Sequence, residues 1–96
     1  MKALQIVETV QKYATSLAPR FEVRRHPTNA VAPSTQDAME HVLWMCVQVQ
    51  EFVAQGKLEK ANRWLGFIQG ILWLSGRGSV DDFREDNRDG WCGPES

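Results

Sequence analysis

Arg24, Arg25, His26 and Thr28 place two permanent cations, a titratable third group and a hydroxyl donor within five residues. That is an inventory suited to holding phosphate oxygens, since guanidinium groups and hydroxyls both donate to them. Pro27 disfavours the helical region for His26, so the stretch is expected to run extended, with neighbouring side chains diverging around a small anion. Phe21 stands just before this group and Tyr13 on the segment before that; an aromatic face beside arginine and a hydroxyl makes a workable nucleotide site. Each feature also has a plainer reading. The charged residues can form a solvated loop, and Phe21 can be a core plug closing the helix ends. Further along, Lys57, Lys60 and Arg63 share one polar side, either as ordinary solvated charges or as a second basic surface brought to a symmetry axis by association.

Other chemistries find less support. His26, His41, Cys46 and Cys92 form neither C-x-x-C nor H-x-x-x-H spacing, so no metal site is expected from them. The serines fall at caps, turns and the terminus rather than beside a base, and no Walker-type glycine loop occurs. A binding role is therefore expected rather than catalysis, with no cofactor. The net charge of −1 provides no bulk attraction for DNA, RNA or an anionic membrane, so any polyanion site must be local. Charge is unevenly placed all the same: the segment from Arg20 to His26 is mostly basic, whereas Asp81, Asp82, Glu85, Asp86 and Asp89 make the tail acidic. No apolar run approaches the roughly 18 to 20 residues of a membrane span, and the N-terminal pattern is amphipathic rather than signal-like, so the chain is expected in the cytoplasm. Two cysteines do not make a disulfide framework, and Cys46 reads as a small core residue.

These residues must be positioned by helices. With 96 residues, 43% hydrophobic and 24% charged, the chain fits a single helical domain over 1–96. Its divisions are an N-terminal helix (1–18), a connector (19–34), an antiparallel helical hairpin (35–76) and a short helix with a tail (77–96). In the first helix Ala3, Val7, Val10, Ala14 and Leu17 recur at helical spacing, and Pro19 stops it. Connectors of about 15 residues exceed the usual length in small domains and often carry function. Ser34 or Thr35 caps the second helix, whose stripe is Ala38, Val42, Met45, Val49, Phe52 and Val53. Gly56 ends that helix before a third with the stripe Leu58, Ala61, Leu65, Ile68 and Leu72, flanked by Trp64, Phe67, Ile71 and Trp73. Ser79 and Asp82 resemble the start of a short fourth helix, docked by Val80 and Phe83, ahead of a tail anchored by Trp91.

The third helix is apolar on more than one face and carries Gly66 and Gly70, each costing about 1 kcal/mol against alanine in a helix. Close approach by another helix would offset that cost, either within the chain or between subunits. A domain this small also buries only about two thirds of its unfolded surface, so self-association is expected.

Taken together, the first helix, the connector ending Arg24-Arg25-His26-Pro27-Thr28, and the run from Lys57 through Arg63-Trp64-Leu65-Gly66-Phe67-Ile68-Gln69-Gly70 resemble a phage family. The family is that of the bacteriophage anti-CBASS cyclic-oligonucleotide sponges, including the version carried by T-even phages, and the resemblance covers roughly residues 10 to 75. It implies a helical protomer that assembles as a hexamer and sequesters cyclic di- and trinucleotide immune signals without cleaving them. It further implies that Tyr13, Arg25 or His26, and Thr28 serve a dinucleotide pocket, and that Arg63 serves a separate trinucleotide pocket. Family loops often carry lysine where this one has two arginines and a histidine. A reading from another class is a small phage or bacterial protein-interaction adaptor, with the basic connector facing an acidic partner and the third helix as a docking face.

Overall fold

The computed structural model describes residues 2–26 and 34–88. Four α-helices and, among the described residues, no strand make up the fold: α1 (Ala3–Leu17), α2 (Thr35–Ala54), α3 (Leu58–Leu74) and α4 (Val80–Arg88). Thr28 and the remainder of the connector from 27 to 33 lie outside the described residues, as do Cys92 and the Trp91 anchor.

The helix ends follow from local chemistry. Ser34 accepts a hydrogen bond from the Asp37 backbone N–H, which selects it over Thr35 as the cap of α2. Both α2 and α3 close on a glycine with φ of 77°, Gly56 and Gly76, a conformation that any side chain would strain. At each end two bonds satisfy the terminal carbonyls: Gly56 N–H to Val53 and Lys57 N–H to Phe52, then Gly76 N–H to Trp73 and Arg77 N–H to Leu72. This double closure ends both helices sharply. At α4, Ser79 and Asp82 each bond the other's backbone N–H, a reciprocal cap that also holds the exposed Asp82 carboxyl below its ordinary pKa.

The core joins Ile6, Val10, Tyr13 and Leu17 of α1 to Met39, Val42, Leu43, Met45, Cys46, Val49 and Phe52 of α2 and to Ala61, Leu65, Ile68 and Leu72 of α3. Burial pushes the Cys46 thiol up to about 12. Four expectations need correction. In α1 the buried stripe is rotated: Ile6, Val10, Tyr13 and Leu17 have the same helical spacing as the expected set but carry larger side chains, so they take the core and leave Ala3, Val7 and Ala14 at its edge. Leu58, at the first turn of α3, stays exposed, and Val80 does not dock α4, which enters the core through Phe83 alone. Finally, none of the described residues approaches Gly66 or Gly70 closely: an added Cβ at either would meet open space among them. Packing among the described residues therefore does not offset the cost of these glycines.

The expected width of the apolar face on α3 is present. Phe67, Trp73 and Leu74 stand 60, 53 and 81% exposed. Trp73 and Val80 border an open, mainly apolar depression that includes Gly70, Gln69, Phe83, Arg84 and Asn87. No helix among the described residues is long and apolar enough to cross a membrane.

Candidate functional site

The described part of the connector is fastened to α2 by its backbone. The Arg24 N–H donates to the Glu40 carbonyl at 3.2 Å, and the His26 N–H donates to His41 Nδ1 at 3.2 Å. An amide can donate to an imidazole nitrogen only if that nitrogen keeps its lone pair, so His41 carries its proton on Nε2. Burial, and then the neighbouring His26 and Arg25, lower the His41 pKa below its ordinary value, in keeping with this neutral form.

These two bonds set the register of the cations over the first turns of α2. The Arg25 guanidinium lies 5.2 Å from the centre of the Trp44 ring, and His41 stacks on the same indole at 5.3 Å with 28° between planes. Trp44 in turn lies 5.8 Å from Trp64 of α3, and Trp64 meets Phe52 edge-on at 4.8 Å. A ledge of half-buried aromatic rings thus carries an exposed cation on its outer face.

Arg24 and His26 face carboxylates instead. His26 Nε2 is 3.3 Å from Glu40 Oε1 and 3.9 Å from Asp37 Oδ1. Arg24 reaches Glu40 at 4.0 Å and Glu22 at 3.8 Å. The Glu40 side chain is only 4% exposed, and Gln36 donates to its second oxygen at 3.4 Å. A buried carboxylate requires such partners. Arg25, by contrast, engages an aromatic ring.

The remaining expected site residues are not drawn to this ledge. Tyr13 is buried between α1 and α4, its hydroxyl donating to Asp86 Oδ2 at 2.6 Å and accepting from Gln69 Nε2 at 2.9 Å. Phe21 packs on the edge of the core with the Arg77 guanidinium 5.3 Å from its ring centre. Arg63 points outward beside Glu59 at 3.6 Å, an exposed pair of small energetic worth. Lys60 lies over the Phe52 ring at 4.6 Å.

Sequence reasoning missed Glu40, Asp37, His41 and Trp44 as neighbours of the connector. Asp37, Glu40, His41 and Trp44 follow a three- to four-residue helical period, so they lie along one side of α2. That signal was available, but which side the connector would cover was not. The chain matches none of the protein-family models, characterised proteins or solved structures with which it was compared.

Proposed function

We propose that this protein binds small cyclic oligonucleotides, of the di- or trinucleotide immune-signal type, and sequesters them without cleavage. This is the activity implied by the resemblance to anti-CBASS sponges, with a hexamer acting in the cytoplasm of an infected host. The observation that carries the reading is the Arg25–Trp44–His41 stack. A guanidinium held over an indole, with a second aromatic ring parallel to it, offers a flat face to a base and a fixed cation to its phosphate. Arg24, 59% exposed and loosely paired, supplies a second donor, with Thr28 close in sequence. In this reading Trp44 takes the stacking role that the resemblance gives to Tyr13, whose hydroxyl is committed to Asp86.

Thermal shift with cyclic di- and trinucleotides tests the reading. A ligand at one hundred times its dissociation constant adds about 2.7 kcal/mol to folding stability. Arg25→Ala and Trp44→Leu are expected to remove the shift, and the bound ligand is expected to be recovered still cyclic. Recovery of linear nucleotides would make the protein a phosphodiesterase.

The adaptor reading is favoured by one separate observation, the exposed Phe67, Trp73 and Leu74 face of α3. A melting point indifferent to every cyclic nucleotide, together with loss of partner binding on Phe67→Ser, would select it.

A further inference from the structure

We propose that His26, Asp37 and Glu40 form a binding site for a divalent transition-metal cation of the Zn2+ class. One ligand atom from each residue lies within 4.8 Å of the others. The imidazole of His26 and the two carboxylates come from different chain segments, yet their separations are close to those a metal imposes. Metal–ligand bonds of about 2.0 to 2.1 Å in tetrahedral geometry set neighbouring donor atoms about 3.3 Å apart. His26 Nε2 and Glu40 Oε1 are already at 3.3 Å, and Asp37 Oδ1 stands at 3.9 Å from the same nitrogen. Asp37, at the first turn of α2 and half exposed, can close that gap by a side-chain rotation.

Three features separate this arrangement from a chance cluster of surface charges. The central carboxylate is buried, and Gln36 holds its other oxygen, leaving Oε1 turned toward His26. Partners of this kind orient metal ligands and raise their affinity. The backbone bonds from Arg24 to Glu40 and from His26 to His41 Nδ1 fix the connector against α2, so His26 is held in place rather than recruited. The competing cation is displaceable. Arg24 reaches Glu40 only at 4.0 Å and has Glu22 as a second partner at 3.8 Å, so a metal ion can replace it without stranding a buried charge. An imidazole with two carboxylates suits zinc and its first-row neighbours better than magnesium, which prefers an octahedral shell rich in water. Three protein donors leave a fourth position for water or an external anion.

The inference does not rest on the nucleotide reading, and its test uses no nucleotide. The full chain, stripped with chelator and carrying Cys92→Ser to remove a thiol that could bind zinc on its own, is titrated with Zn2+ against a chromophoric chelator. Co2+ absorption is recorded in parallel. The expected result is one equivalent per chain, with visible Co2+ bands. Asp37→Asn, at a half-exposed position, is expected to weaken Zn2+ at least tenfold with the melting point in the absence of metal unchanged. His26→Gln is expected to weaken it further, and millimolar Mg2+ is expected not to compete. Glu40→Gln serves as a third variant if circular dichroism shows that it folds. Substoichiometric binding, or binding unchanged by Asp37→Asn and His26→Gln, overturns the proposal and reduces the cluster to an ion pair.

Discussion

The Tyr13 hydroxyl donates to Asp86 Oδ2 at 2.6 Å, joining a buried residue of α1 to the last turn of α4. Lys12 pairs with the other Asp86 oxygen, and Gln5 donates to the Asp86 carbonyl at 3.1 Å. Beside them Gln69 and Asn87 exchange two amide hydrogen bonds at 2.9 and 3.1 Å. Asp86→Ala is expected to destabilise the protein by about 1.5 to 3 kcal/mol, the usual scale for a hydrogen bond to a charged group. Urea unfolding measures the loss, and limited proteolysis is expected to cut first within 80–88. An unchanged urea midpoint would show that this seam contributes nothing.

The same contact makes Tyr13 a probe of alkaline unfolding. Burial first, and then the hydrogen bond to Asp86, raise its pKa well above the ordinary 10.0. The folded state thus holds the phenolic proton more tightly than the unfolded state. The resulting stability is complete below pH 10 and is lost as pH climbs from there toward the folded value. Tyr13 is the only tyrosine in the chain. Tyrosinate absorbance near 295 nm should therefore appear together with loss of helicity rather than along a free-phenol curve centred at 10. A simple titration at 10 in the folded protein would contradict the buried hydroxyl.

Gly66 and Gly70 face open space in the protomer. Alanine at Gly66 is expected to stabilise α3 by up to about 1 kcal/mol, because it removes the entropic cost of glycine without meeting a neighbour. Gly70→Leu is expected to leave helicity intact while lowering the particle mass seen by light scattering, if subunits meet on this strip. A lower melting point for Gly66→Ala would show that a neighbour does pack against this strip, whereas a mass near 10.9 kDa for the unaltered chain would remove the strip from any assembly.

Gly78 behaves oppositely, since a Cβ there would stand 2.6 Å from the Phe83 ring. Phe83 is the apolar plug of α4 and packs edge-on to Tyr13 at 6.2 Å. Gly78→Ala is therefore expected to cost about 1 to 3 kcal/mol as the ring is pushed from its place. Near-ultraviolet circular dichroism, which reports the packing of Tyr13 and Phe83, would register the displacement; an unaltered spectrum and melting point would refute it.

Helix positions were legible where an end carries a local signal: Ser34 with Asp37, Gly56, Gly76, and Ser79 with Asp82. Faces were less legible. In α1 two stripes share Val10 and Leu17, and only packing decides that Ile6 and Tyr13, rather than Ala3 and Ala14, point inward. Gln69, which no pattern singled out, is buried and engaged with Tyr13 and Asn87. The connector cations were visible as residue types. Their partners were not, because Glu40 and Trp44 meet them only after the chain folds back on α2, a long-range relation that no spacing encodes.

The attachment of α4 has a kinetic meaning. Apart from Phe83 it is held by polar bonds to Lys12, Tyr13, Gln5 and Gln69, each of which water can replace, whereas α1, α2 and α3 share a continuous apolar core. Segments held mainly by such bonds open at lower free energy than the global transition. Backbone amides of α4 should accordingly exchange with solvent in an earlier tier than those of Val42 to Val49. Each such opening frees the buried Gln69 amide and the Tyr13 hydroxyl from their α4 partners, so the rate of opening sets how often these two groups meet water.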